Sequence, residues 1–244
     1  MKILFLLPPS EWKTANGVVW EEALSFSFEK PHAIATKVTE KDLKCTGKRF
    51  EEGLSLNKQL CSSLPFAKGV PEGRGIQVME AINRYSGVMY NAIDHAGMND
   101  EWKQYFEENY LIFSGIYWIV KPMDLIGNYK LPIETKTLAK YWQANITQAL
   151  NESGAEYIVN LLPLSYMKMI DFKTLTPKVV NINFQVEKEG KIVKMAHGVK
   201  KIKGEWIKQV CEKLGSDNNT DVFKVFGWEK VETDKSIEVN ILHK

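Results

Sequence analysis

Ser10, Glu11 and Lys13 appear within four residues of each other, immediately after a run of five apolar residues and two prolines, in "ILFLLPPSEWKT". Proline lacks an amide proton and cannot continue a sheet ladder, so Pro8 and Pro9 fix the direction in which the chain leaves the apolar run. A serine becomes a nucleophile only when another group takes its proton, and a partly buried lysine can do that. Lysine can equally hold a phosphate, and the same stretch also reads as a capped turn with a solvated lysine. Two further segments have the same composition. "RYSGVMY" brings Arg84, Tyr85 and Tyr90 around Gly87. A glycine inside a helical pattern costs about 1 kcal/mol relative to alanine, so it asks for a close approach of backbone or ligand. Arg84 would be a planar anion fork there. "FSGIYWIVKPMDLIGNY" supplies Ser114, Tyr117, Lys121, Asp124 and Tyr129. Hydroxyls of Tyr85, Tyr90 and Tyr117 near Ser10 would suit proton transfer or a base-stacking pocket.

The elements that must position these groups follow from periodicity. Residues 3–7 read as a buried strand, and a site at its end fits the preference of ligands for strand termini. Over 77–94, Val78, Ile82, Tyr85, Met89 and Ile93 share one arc at helical spacing, which predicts one helix with Arg84, Gly87, Asn91 and Asp94 opposite. Residues 110–120 read as a buried strand, 138–152 as a helix capped by Thr137 and closed by Gly154, and 156–162 as another strand. A hairpin is expected to turn at Glu189-Gly190. The stretch 200–214 reads as a basic helix with Ile202, Trp206, Val210 and Leu214 inward, and two strands close the chain. Thr39 and Asp42 resemble a helix cap, and Gly47 separates that short helix from one over 49–60. With Lys41, Lys44, Lys48 and Arg49 nearby, the pair looks like a helix-hairpin-helix or a plain helical hairpin. Residues 64–75 are a loop by their prolines and glycines. Strands and helices interleave without a regular βαβ rhythm, so the fold class expected is α+β, an irregular α/β arrangement: a single domain over 1–244 with a mixed sheet.

Composition narrows the function classes. A net charge of +2 on 244 residues excludes a polycation, so a nucleic-acid surface would have to be local. The best candidate is the stretch from Lys191 to Lys208, where Lys200, Lys201, Lys203 and Lys208 stand against Glu205. Cys45, Cys61 and Cys211 are scattered and odd in number, which points to free thiols and a reducing compartment. His32, His95, His197 and His243 have no metal-ligand spacing. No haem or iron–sulfur ligand pattern appears, so neither a metal nor another cofactor is expected. The five-residue apolar run is too short for a signal or membrane segment, and a cytoplasmic protein with no membrane partner is expected.

Taken together, "LPPSEWK", "AINRYSGVMYNAI", "FSGIYWIVKPMDLIGNYKL", "LAKYWQANITQAL", "YIVNLLPLSY" and "VKKIKG" resemble the bacterial YaaA peroxide-stress family, in order and over nearly the whole chain. The family's opening fits Pro9, Ser10 and Lys13; its second element fits Arg84, Tyr85, Gly87 and Tyr90; its third fits Ser114, Gly115, Tyr117, Pro122, Asp124 and Tyr129. Where the family usually has Ala-Lys-x-x-Arg-Gly, this chain has lysine at 203, and it carries Trp118 and Lys121 where smaller or apolar residues and arginine are usual. The resemblance implies an unusual α/β domain with a basic cleft and a helix-hairpin-helix-like element, a role in limiting peroxide damage, and DNA binding. The alternative is an enzyme acting on a nucleobase, nucleotide or other small anionic substrate through Ser10, Lys13, Arg84 and the strand-end tyrosines.

Overall fold

The computed structural model describes residues 2–20, 29–62, 76–188, 191–195, 198–216, 223, 231–232 and 236–243. The strands are β1 (Ile3–Leu7), β2 (Val18–Trp20), β3 (Ile76–Glu80), β4 (Tyr110–Ser114), β5 (Trp118–Val120), β6 (Leu125–Gly127), β7 (Tyr157–Asn160), β8 (Lys178–Lys188), β9 (Lys191–Lys194), β10 (Val231–Glu232) and β11 (Ser236–His243). The helices are α1 (Glu29–Ala35), α2 (Glu40–Leu43), α3 (Gly47–Ser62), α4 (Ala81–Arg84), α5 (Val88–Ile93), α6 (Asp100–Asn109), α7 (Leu138–Glu152), α8 (Leu164–Met167) and α9 (Val199–Gly215). The expected loop over 64–75 and the turn residues Glu189 and Gly190 lie outside the described residues. The hairpin itself is present, with Lys188 opposite Lys191.

The fold is α+β. One mixed sheet runs β10-β11-β8-β7-β1-β4-β5, with β9 also paired to β8. Its centre, β4-β1-β7-β8-β11, is parallel. A parallel strand is covered on both faces and reads as an unbroken apolar run, and every residue of Ile3–Leu7 is buried. Phe5 stacks on Tyr110 at 4.5 Å between ring centres, and Tyr110 stacks on Phe106 of α6 at 4.4 Å. Neighbouring β1 and β7 send their connections to opposite sides, β1 onward to β4 and β7 onward to β8. Ligands of parallel sheets prefer the crevice beyond the strand ends at such a reversal. The chain leaves that crevice through Pro8-Pro9 on one side and Leu161-Leu162-Pro163 on the other, and the amide of Leu161 donates to the Leu6 carbonyl at 3.1 Å.

The single helix expected over 77–94 is not formed. Residues 76–80 are β3, the middle strand of a small antiparallel sheet in which Val78 faces Val18 on β2 and Gly127 on β6. The chain then makes one turn of helix, extends at Tyr85, and restarts as α5 beyond Gly87. Val78, Ile82, Tyr85, Met89 and Ile93 are all buried nonetheless, so the apolar spacing foretold burial correctly and geometry wrongly. The strand expected over 110–120 is likewise two strands folded back on each other, with Ser114 opposite Trp118. The Ser114 hydroxyl oxygen accepts the amides of Ile116 and Tyr117 and so closes the turn. The α2–α3 pair forms as expected. Thr39 and Asp42 make a reciprocal cap, and Lys44 takes a left-handed conformation at the end of α2.

Helix α9 lies against α5 at very short range. A Cβ on Gly204 would sit 2.3 Å from the Met89 carbonyl oxygen and 2.7 Å from the Ala92 side chain. Backbone cannot step aside cheaply, and overpacking typically costs ~1–3 kcal/mol. Gly204→Ala is therefore expected to lower the free energy of unfolding by about that much, measured by urea titration. A wild-type midpoint would mean that the two helices separate without penalty.

Candidate active site

Beyond Pro9 the chain runs extended beside residues 84–86. The amide of Thr14 donates to the Arg84 carbonyl at 2.8 Å, that of Ser86 to the Trp12 carbonyl at 3.0 Å, and Lys13 bridges Tyr85. Gly87 adjoins this strip with φ of +107°, and a Cβ there would lie 3.0 Å from the Ser10 hydroxyl and 3.8 Å from the Trp12 ring. The close approach foreseen at Gly87 is thus made by the opening motif itself. Tyr90 on α5 donates its hydroxyl to the Pro8 carbonyl at 2.8 Å and holds the exit from β1.

Lys13 is the centre of the arrangement. Its Nζ stands 4.3 Å above the Tyr129 ring and 5.4 Å from the centre of the Tyr85 ring, and donates to the Ser10 carbonyl at 3.0 Å. Among the described residues no carboxylate forms an ion pair with it. Burial pushes its pKa down from the ordinary lysine value to about 7; Glu11 opposes the shift, and the positive charges of Lys130 and Arg84 add to it. The ring faces offset part of the lost hydration, since their quadrupoles attract an ammonium. Behind Lys13 three hydroxyls join: Tyr129 with Tyr85 at 2.8 Å and Tyr129 with Ser114 at 2.7 Å. The Ser114 oxygen already accepts two amides, so its own proton goes to Tyr129, and Tyr129 and Tyr85 share a hydrogen bond in which either phenol can donate. Burial raises the pKa of Tyr85, Tyr90, Tyr117 and Tyr166 well above the ordinary tyrosine value and that of Tyr129 to about 12. The phenols are therefore neutral and offer no anion to hold Lys13 in its charged form.

Ser10, Lys13, Tyr85, Tyr90, Ser114 and Tyr117 converge, and Arg84 lies beside them in a different capacity from the one its type suggests. Arg84 has no exposed surface. Its guanidinium donates to the carbonyls of Thr14, Asn16, Gln77 and Ile126. An arginine engaged in this way is a brace, and the anion fork expected of it is corrected accordingly. The Ser10 hydroxyl accepts the Trp12 amide at 3.2 Å, while Lys13 contacts the Ser10 carbonyl. Asp124 stands apart: its carboxylate caps a turn by accepting the Lys121 amide at 2.6 Å, and burial raises its pKa. Tyr117 accepts the Gly127 amide at 3.1 Å.

Tyr129 stands in the third segment singled out above; spacing alone does not single out Lys130 and Tyr166, which complete the surroundings. The available signal was the second Leu-Pro-x-Ser run, "LPLSY" after β7, which echoes "LPPSEW" after β1.

The lysines of α9 are spread over different environments. Lys203 reaches inward and donates to the Leu161 carbonyl at 2.7 Å, and burial lowers its pKa to about 8. Lys208 pairs with Asp94 at 2.7 Å, and Lys201 with Glu205 at 3.4 Å. Lys200 is exposed.

A family model described as peroxide stress protein YaaA matches residues 1–235. The chain belongs to this family. Among curated proteins it is similar to a UPF0246 protein of Francisella tularensis subsp. novicida, 31% identical over 161 residues, which cover 61% of this chain and 63% of that protein. A UPF0246 protein of Rickettsia conorii is 29% identical over 142 residues, covering 55% and 57%. One of Rickettsia bellii is 27% identical over 157 residues, covering 61% and 62%. The chain thus spans less than two thirds of the length of these relatives. Among the described residues no helix is long and apolar enough to cross a membrane, and no group of histidine, cysteine and carboxylate side chains could hold a metal ion.

The cluster generates two expectations. Tyr129→Phe leaves the buried hydroxyls of Ser114 and Tyr85 without their shared partner, at a cost of ~1–3 kcal/mol in unfolding free energy by denaturant titration. An unchanged midpoint would show that water replaces the phenol. The second concerns pH. Between about 7 and the ordinary lysine value the unfolded chain binds a proton at Lys13 that the folded chain does not, so stability rises with pH across that window. The difference in unfolding free energy between the wild type and Lys13→Met should shift in favour of the wild type from pH 7 to pH 10. A pH-independent difference would contradict the burial of the amine.

Proposed function

We propose that this member of the YaaA family serves resistance to peroxide by acting on a small anionic substrate at the end of β1, with the Lys13 amine as the proton acceptor. One observation carries the reading: an amine between two neutral tyrosines, without a carboxylate partner among the described residues, beyond the strand that opens the sheet's point of reversal. Burial and like charge tune a lysine toward neutral pH, where it can take a proton and return it. Tyr85 and Tyr129 flank the amine, Ser114 holds Tyr129, Tyr90 anchors Pro8, Ser10 offers its carbonyl, and Arg84 fixes the strip. The parallel peroxide role rests on the family's description and on no contact in the molecule. A cytoplasmic setting agrees with the scattered free thiols.

The test is survival of peroxide in cells whose only copy is a variant. Lys13→Met should reduce survival to that of cells lacking the protein. Lys13→Arg should do the same, because arginine keeps its proton and cannot accept one. Rescue by arginine would make Lys13 an anion clamp. Full survival with Lys13→Met would dismiss the site.

A second reading, DNA binding, is favoured by α2–α3. Gly47 opens α3 with φ of +55°, and Lys48 and Arg49 follow in its first turn. Lys48 meets Glu52 only at 3.9 Å and is largely exposed. Lys200 and Lys201 on α9 would add to such a surface, whereas Lys203 and Lys208 are engaged elsewhere. Each phosphate neutralised contributes roughly 0.9 to the log–log salt slope on duplex DNA. Replacing Lys48 and Arg49 with alanine should therefore flatten the slope by up to about 2. An unchanged slope would take α2–α3 out of any interface.

A further inference from the structure

We propose that the Lys13 amine acts as a nucleophile as well as a proton acceptor, forming an imine with a small anionic carbonyl compound such as a 2-oxo acid. The inference rests on the functional reading above and names the substrate class of the same site.

The geometry favours attack by nitrogen. Among the described residues Lys13 Nζ makes one hydrogen bond, to the Ser10 carbonyl, and it lies against the ring faces of Tyr85 and Tyr129. Losing its proton breaks no ion pair among the described residues. The groups that act on it electrostatically are Glu11 of its own segment, Lys130 beyond β6 and Arg84 at the end of α4. Two of the three are cations, and Arg84 is spent on carbonyls, so Lys130 remains to favour a substrate bearing negative charge. The stem is held in place before any substrate arrives: residue 13 is bridged to Tyr85, and Tyr90 anchors Pro8. Pre-ordering of this kind lowers the entropy lost on reaching the attack geometry. A pKa near neutrality leaves a useful fraction of free amine, as a Schiff-base lysine requires.

The step balances without an oxidant. The nitrogen lone pair forms a bond to the carbonyl carbon, and the C=O π pair moves onto oxygen. A proton passes from nitrogen to that oxygen, giving a carbinolamine. The nitrogen then gives up its remaining proton, which reaches the hydroxyl and lets it leave as water while the C=N bond forms, so that imine and water are the only products.

The experiment uses the full chain with glyoxylate as the carbonyl probe and cyanoborohydride as the reductant. Reduction of an imine leaves a stable carboxymethyl group on the lysine, located by peptide mass spectrometry. At pH 7 about half of Lys13 is neutral, against about four in ten thousand for an ordinary lysine of pKa about 10.4. Lower intrinsic nucleophilicity offsets part of that advantage, so trapping at Lys13 should be roughly tenfold or more faster than at exposed lysines. Its rate should reach half-maximum near pH 7. Propanal, of similar size but uncharged, should label Lys13 more slowly than glyoxylate. Trapping at Lys13 no faster than at exposed Lys48 or Lys200 overturns the imine, and equal rates for the two probes overturn the anionic preference. If Lys13 is not trapped but Lys13→Met still abolishes peroxide survival, the imine fails and the proton-acceptor reading stands. If Lys13→Met survives normally, the reading beneath it fails.

Discussion

Four backbone carbonyls converge on the guanidinium of Arg84, and the placement of everything at the end of β1 depends on that contact. Thr14 and Asn16 belong to the strip that carries Lys13, Gln77 to β3 and Ile126 to β6. A buried charge is tolerable only when its donors are satisfied, and here one side chain satisfies acceptors from three separate stretches of chain. It fastens the opening motif to the small antiparallel sheet. It also places a positive charge near Lys13, which depresses the amine's affinity for a proton. Structural brace and electrostatic neighbour are one group.

Opposing forces act on Lys13 itself. Removal from water and the charges of Lys130 and Arg84 disfavour the ammonium, while Glu11 and the faces of Tyr85 and Tyr129 favour it. Desolvation is the largest of these, and the near-neutral value follows. A carboxylate in place of Tyr129 would restore the charge and end the ambivalence. The tyrosines can line the site because Ser114, the Gly127 amide and the Pro8 carbonyl satisfy hydroxyls that would otherwise be stranded. The site is thus paid for by neutral hydrogen bonds.

Parts of this were legible in the sequence because they are local. The five apolar residues before Pro8 read as a strand buried on both faces, and α7, which spans its expected residues although the Thr137 side chain makes no capping hydrogen bond, needed little beyond its own periodicity. Positions 78, 82, 85, 89 and 93 show where local reading stops. Burial at those spacings is compatible with a helix, yet pairing of Val78 with Val18 and Gly127, together with the positive φ of Gly87, selects strand, turn and helix instead. Arg84 is the clearest case at the site. Its acceptors come from residues 14, 16, 77 and 126, and no window of sequence contains them. Lys203 behaves similarly: its neighbours on α9 suggest a solvated basic face, whereas its partner is the carbonyl of Leu161 at the end of β7. Ser10, Lys13 and the tyrosines stand out in the sequence because prolines and glycines mark strand exits, and strand exits are where the sheet brings distant segments together.

The central claim is that Lys13 carries an amine able to lose its proton near neutrality. The most direct measurement is an NMR titration of the Lys13 side chain in the folded protein, following the carbon and nitrogen shifts next to the amine and assigned by loss of the signal in Lys13→Met. The account predicts a midpoint at about 7. A midpoint near the ordinary lysine value of about 10.4 would contradict it.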